Sequence, residues 1–291
     1  MKALCFGSLN IDYVYQMDHH VRPGETLASK RMDIFCGGKG LNQSIAVARA
    51  GEKIAHAGKI GKDGLMLKAF LEEKGVDASY VDVVDASSGH AIIQVDPKGQ
   101  NSIITFGGTN KQLEREHIDR VIAQFDAGDI LILQNEINEN AYIMEKAHQQ
   151  GMRIALNPSP LTDALQGLPM EYVTWFFVNE IEGKELTGFE EPEQILNAFR
   201  EKYPNSAVVL TLGEDGSVYQ DANETHRQGI YKVSAVDTTA AGDTFMGYFL
   251  AQIMKGRGPK VGLELAAKAS GIAVSRQGAA TSIPGWEEVE G

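Results

Sequence analysis

The chain has 291 residues, 43% hydrophobic and 23% charged, with 31 glycines and a formal net charge of −12 at pH 7. Such a length allows one large α/β domain or two smaller ones, and the composition is that of a globular protein with many tight turns, not a disordered chain. The acidic balance argues against nucleic-acid or anionic-membrane partners, which draw basic patches, so an anionic substrate would need local help from helix ends, Lys or a metal.

Cys5 and Cys36 form no CxxC pair and no spaced Cys/His set accompanies them, so both read as reduced core residues of a cytoplasmic protein. No apolar run approaches the roughly 18 residues of a membrane span, and the N-terminus lacks a signal-peptide h-region.

In chain order, "ALCF" opens as a buried strand, followed by "GSLNID". Asn10 and Asp12 there fall on one side of an extended segment at a strand end, where α/β sheets gather ligands. A carboxylate accepting two hydrogen bonds matches a vicinal diol; a solvated Asx turn is the plainer reading. The stretch "YVYQMDHHVRPGETLASKRMDIFC" reads as a β-ribbon.

The loop "CGGKGLNQS" leads into a helix that ends near Gly51. It is not a Walker A loop, since Gly40 follows Lys39 where Ser or Thr would hold Mg²⁺, and it is not the GxGxxG of a nicotinamide enzyme. Gly37 and Gly38 allow close backbone approach, while Lys39 and Asn42 supply donors suited to hydroxyls. Flexible glycines entering a helix are the bland alternative.

"KIAHAG", "DILILQ", "RIALN", "WFFVN" and "AVVLTLG" read as further buried strands, and helices end at Gly75 and Gly151. A second ribbon, "GHAIIQVDPKGQNSIITF", turns at "PKGQ". Strands without crossover helices predict a small separate sheet whose apolar face a ligand cleft or a second subunit covers.

Near "VNEIEGKELTG", Asn179 and Glu182 share one face of a helix's first turn, as a cap or as a water-mediated Mg²⁺ site. "TLGEDGS" is a hairpin turn or a nucleotide cup. In "VDTTAAGDTFMGYFLAQ" a helix starts near Ala241, with Phe245, Met246, Phe249, Leu250, Ile253 and Met254 as its one apolar face. The N–H groups of Ala241, Gly242 and Asp243 would converge beside the Asp243 carboxylate, with room for a phosphate at Gly242. A cap without chemical role is the alternative.

From Gly7 to Pro284, "GGKGLNQSIAVARAG" and "DTTAAGDTF", with "GSLNID", "RPGET", "NPSP" and "RQGAATSIP" in order, resemble the signatures of the ribokinase-like, or phosphofructokinase-B, family of carbohydrate kinases. The resemblance implies an α/β fold, a mostly parallel sheet flanked by helices with a small β-sheet lid, as one domain over 1–291 with lid segments 12–36 and 89–107. It implies Asp243 as catalytic base and Ala240, Ala241 and Gly242 as the anion hole. Sugar contacts fall to Asn10, Asp12, Gly38, Lys39, Asn42, Glu136 and Asp243, and nucleotide contacts to Asn179, Thr211, Gly213 and Gly216. Glu182 would organise Mg²⁺ through water. An activating monovalent cation, usually K⁺, maps to Asp237, Thr239, Ala273, Arg276, Gly278 and Ser282, in part through backbone carbonyls.

The implied activity is transfer of the γ-phosphoryl group of ATP to the primary hydroxyl of a pentose, D-ribose first, by a homodimer joined through its lids. Fructose, deoxyribose, ketodeoxygluconate or a nucleoside are rival substrates, with Asp12 and Glu136 opposing an anionic sugar acid. A non-catalytic sugar sensor of the same fold is the rival from another class. Leu41 departs from the family's usual Ala beside the sugar loop, and Ala267 from a polar side chain near the adenine.

Overall fold

The computed structural model describes residues 1–291. Its first half runs β1 (Ala3–Phe6), β2 (Asn10–Gln16), β3 (Arg31–Gly37), α1 (Lys39–Arg49), β4 (Ile54–Gly61), α2 (Leu65–Glu73), β5 (Asp77–Val84), β6 (Gly89–Val95), β7 (Asn101–Phe106) and α3 (Arg115–Ile122). Then follow β8 (Ile130–Gln134), α4 (Asn140–Gln149), β9 (Arg153–Asn157), β10 (Val173–Asn179), α5 (Glu180–Thr187), α6 (Pro192–Lys202) and β11 (Ala207–Thr211). The chain closes with β12 (Ser217–Gln220), β13 (Thr225–Gln228), α7 (Ala241–Met254), α8 (Gly258–Val274) and α9 (Trp286–Glu290). Gly51, Gly75 and Gly151 take φ of 87°, 86° and 75° just past α1, α2 and α4, the left-handed turn that stops a helix and that glycine adopts without strain.

Nine strands form the main sheet in the order β13-β12-β11-β10-β9-β8-β1-β4-β5. The seven from β11 to β5 pair in parallel, and β12 and β13 add an antiparallel edge. Two-residue alternation in β1 divides the core: Ala3 and Cys5 join the cluster built with α1, α7 and α8, and Leu4 and Phe6 the one built with α3, α4 and α6. The apolar runs are the central strands; β5, half exposed at the edge, carries no such run and is not among the expected strands.

The two ribbons assemble as a four-stranded sheet, β3-β2-β6-β7, through parallel pairing of β2 with β6. Each ribbon interrupts the main sheet at a turn of its winding. The chain leaves β1 for the lid and returns to β4 on one side; after β5 it visits the lid again and returns to β8 on the other side. The point where winding reverses, between β1 and β8, is where open α/β sheets form a ligand crevice.

Helix α7 departs from the single apolar face that its period predicts: every residue from Asp243 to Gln252 is buried. The cause is packing on several sides. Gly247 leaves no room for a side chain against Ala46 and Val47 of α1, and Gly262 of α8 lies against the Phe249 ring. The close crossing at Gly247 sets α7 and α1 side by side just below the site.

Candidate active site

Strands β9, β10 and β11 end on the polar residues Asn157, Asn179 and Thr211, with Asn179 and Thr211 in register. The N-terminus of α7 faces them across a cavity of about 240 Å³, lined by these three residues and by Lys39, Glu182, Thr238, Ala240, Ala241, Gly242 and Asp243 over a floor of Phe177, Val178, Phe245 and Met246. Asn157 and Thr238 were not among the expected site residues; a polar residue closing a buried apolar strand is the signal that marks Asn157.

Ala240, the N-cap of α7, sits in the left-handed region at φ 60° and ψ 13°, a conformation that a residue with a Cβ holds only when its surroundings impose it. Its carbonyl accepts the Thr244 N–H at 2.9 Å. The Ala241 N–H turns back to the Thr238 carbonyl at 3.2 Å, so the expected convergence of three N–H groups is corrected to two. Those of Gly242 and Asp243 have no partner within the protein. A Cβ on Gly242 would meet nothing within 4 Å. Free donors fronting open space at the positive end of a helix are chemically suited to receive an anion.

Asp243 is 8% exposed. The Asn42 side-chain amide donates to its Oδ2 at 3.0 Å, and the Gln43 amide to its Oδ1 at 2.8 Å. Asn42, expected as a sugar contact, thus first holds the acid; its own Oδ1 is buried without a partner. Gln43 was missed, although it stands beside Asn42 in the sequence, because its partner lies on a distant helix.

The lid base lies outside the cavity lining and adjoins it at Lys39. Asn10 and Asp12 share one face of β2, and the Asn10 Oδ1 accepts from the Asn110 side-chain amide at 2.8 Å, so the alternative of a solvated Asx turn does not apply. Asp12 lies against Gly37, where any larger residue would strike its carboxylate. Burial, reinforced by the nearby Glu136 charge, pushes the Asp12 carboxyl up to about 7. Glu136 is fixed by the Ser8 hydroxyl and by the Lys39 N–H at 3.2 Å. Gly38, at φ 98°, has the Ser8 carbonyl 2.8 Å from where a Cβ would stand, so its first role is to bring that loop close. Burial opposes the charge of Lys39, but Asp243, Glu136 and Glu182 outweigh it and hold the lysine above its ordinary value. One ammonium therefore sits among the acids of the site.

On the cavity's far side, Asn179 and Glu182 form a reciprocal cap: Asn179 Oδ1 accepts the Glu182 N–H at 2.8 Å, and Glu182 Oε2 accepts the Asn179 N–H at 3.0 Å. The capping reading is realised, and Glu182 also lines the cavity. "TLGEDGS" is a hairpin in which Thr211 pairs with Ser217. Gly213 and Gly216 stand in its turn, outside the cavity lining, and Gly216, at φ 91°, packs against the Gln228 backbone.

Asp237 joins the loop before α7 to the one after α8. Its oxygens accept the Thr239 N–H at 2.9 Å and the Gly278 N–H at 3.0 Å. Burial disfavours its charge, yet these bonds hold its carboxyl below the usual range. The Ala273 carbonyl accepts the Arg276 N–H at 3.1 Å, the Arg276 guanidinium pairs with Glu288, and the Ser282 hydroxyl donates to the Ala279 carbonyl at 2.8 Å. No three His, Cys, Asp or Glu side chains gather as a metal cluster.

The model of the pfkB family of carbohydrate kinases matches residues 1–286. The ribokinase of Staphylococcus aureus (strain COL) is 33% identical over 300 residues, covering 99% of this chain and 98% of its own length. The deoxyribokinase of Salmonella typhimurium is 30% identical over 301 residues, covering 99% and 97%. The crystal structure of ribokinase from Cryptococcus neoformans var. grubii in complex with ADP superposes with a TM-score of 0.88 at 32% identity, covering 99% of this chain and 98% of that one.

Proposed function

The chain belongs to the pfkB family of carbohydrate kinases, and from that premise we propose that it transfers the γ-phosphoryl group of ATP to the primary hydroxyl of a pentose, D-ribose first, giving ribose 5-phosphate and ADP. The observation that carries this reading is Asp243, a buried carboxylate beside two free N–H groups at the mouth of a cavity. The sugar lies over Asn10, Asp12 and Glu136 at the lid base, with its primary hydroxyl toward Asp243. As that oxygen bonds to the γ-phosphorus and the bond to the ADP oxygen breaks, its proton passes to Asp243. Carboxylates are weak bases toward a free alcohol, so the proton moves late and orientation matters as much as basicity. The N–H groups of Gly242 and Asp243, with the Lys39 ammonium, meet the negative charge spread over the transferring group. Nucleotide lies against Asn179 and Thr211, with Gly213 and Gly216 shaping the turn beside it. The lid over the sugar excludes water, the competing nucleophile.

The donor set fits the cations of such a reaction. Mg²⁺ prefers one or two carboxylates with water and phosphate oxygens, and Glu182 offers one carboxylate in the cavity. When bound, Mg²⁺ neutralises phosphate charge. A monovalent cation such as K⁺ would be held near Asp237, which ties the loop before α7 to the one after α8, with oxygens of Thr239, Ala273, Arg276, Gly278 and Ser282 as its other candidate ligands.

A homodimer through the lids completes the reading. Ile34, Tyr13, Ile92 and Ile104 pair across all four lid strands as one row, on the face opposite Asp12, and Ile104 is 63% exposed. A second lid gives that row the cover it lacks.

ADP formation with ATP, Mg²⁺ and K⁺ against D-ribose, 2-deoxy-D-ribose, D-fructose, ketodeoxygluconate and nucleosides tests the proposal. D-ribose is expected to have the highest kcat/KM. A higher value for 2-deoxy-D-ribose reassigns the sugar, and no sugar-dependent ADP leaves the sensor reading.

A further inference from the structure

Resting on the reading of Asp243 as base, we infer that Gln43 is a positioning residue for that carboxylate and that Gln134 sets the direction in which Gln43 points. Gln43 is 1% exposed. Its Nε2 donates to Asp243 Oδ1 at 2.8 Å, and its Oε1 accepts from Gln134 Nε2 at 2.6 Å. The Gln134 nitrogen also lies 3.5 Å from the Cys5 sulfur in β1. A relay of side chains thus runs from the central strand to the acid.

The relay has only one workable polarity. A carboxylate accepts and never donates, so Gln43 must turn its NH₂ to Asp243 and its carbonyl to Gln134, which must in turn present an NH₂. That demand leaves a trace: the Gln134 Oε1 is buried with no partner. Reversing the Gln134 amide would set two carbonyl oxygens against each other and strand the Gln43 Oε1 instead. A buried orphan of this kind persists where a stronger requirement dictates it.

The terminal torsion of an Asp is soft. With Gln43 on one oxygen and Asn42 on the other, the plane of the Asp243 carboxylate is fixed. A base held at one angle serves turnover, whereas binding of the sugar by the lid base needs no such precision.

Steady-state ADP formation by wild type, Gln43→Leu, Asp243→Asn and the double variant tests this, using ATP, Mg²⁺ and the panel sugar that wild type turns over fastest. Gln43→Leu is expected to lower kcat about 10- to 50-fold with both KM values within about threefold, and to cost nothing further in the Asp243→Asn background. Gln134→Leu, which frees Gln43 to reverse, is expected to show a smaller loss of the same kind, and it carries the test if Gln43→Leu does not fold. Wild-type kcat in Gln43→Leu beside an inactive Asp243→Asn overturns the inference and leaves the base reading standing. A full further loss in the double variant overturns it too, because Gln43 then acts through the fold. Wild-type kcat in Asp243→Asn overturns the base reading itself.

Discussion

The carboxylate of Asp243 on α7 and the side-chain amide of Asn42 on α1 meet at 3.0 Å across 201 positions of sequence. One helical turn further along, Gly247 rests on Ala46 and Val47, so the same helix crossing sets both contacts. Gly247→Val forces that crossing apart. It is expected to cost about 1–3 kcal/mol, the usual scale of overpacking, and to lower kcat as Asn42 and Gln43 draw away from the acid. Calorimetry and the ADP assay on one preparation check this; an unchanged melting temperature would show that the crossing relaxes freely.

Gly242 separates stability from turnover in the opposite sense. No protein atom lies within 4 Å of where its Cβ would stand, and alanine is the better helix former by about 1 kcal/mol. Gly242→Ala therefore keeps or raises Tm while its methyl group enters the space assigned to phosphate. A kcat loss of at least ~10-fold is expected, since a small misplacement of the reacting group is costly. Full activity would move the phosphate elsewhere.

Asp12 makes sugar use depend on pH. Burial and the Glu136 charge raise its carboxyl to about 7, and only the ionised form accepts a hydroxyl hydrogen bond on each oxygen without a competing O–H donor. Sugar kcat/KM is expected to rise as pH passes up through about 7 and then level off, and Asp12→Asn to remove that inflection along with most of the affinity. Stability runs the other way. The folded chain holds this proton to higher pH than the unfolded chain, so the stability it contributes is present in acid and is lost as pH rises to about 7. Denaturant midpoints of wild type and Asp12→Asn across that range give the sign directly.

The lid row offers a test that does not touch the chemistry. Ile104 lies in β7, exposed and outside the cavity lining. Ile104→Lys places a charge in the row and is expected to convert a dimer to a monomer in light scattering, since a buried unpaired charge opposes association. A monomeric wild type, or a variant that stays dimeric, moves the subunit contact off this face.

Much of the framework is written in short-range rules. β1 and β9 coincide with "ALCF" and "RIALN", and α7 begins at Ala241, because buried runs and capping glycines act over a few residues. The lid ribbons were legible for the same reason: strands lacking a crossover helix have no place in a parallel sheet. The half-exposed edge strand β5 was not, since its burial comes from β4 on one side only.

The sequence by itself determined the central apolar strands, the helices that glycines close, the interposed ribbons, and the placing of Asp243 at a helix start after Gly242. Tertiary structure alone decided what surrounds that acid: Gln43 and Gln134 at its back, Lys39 among three carboxylates, Asp12 within the field of Glu136, and only two free N–H groups where three were expected. Local propensity reaches a turn or two along the chain, while these contacts join residues that only the packing of α1, α7 and the sheet brings together.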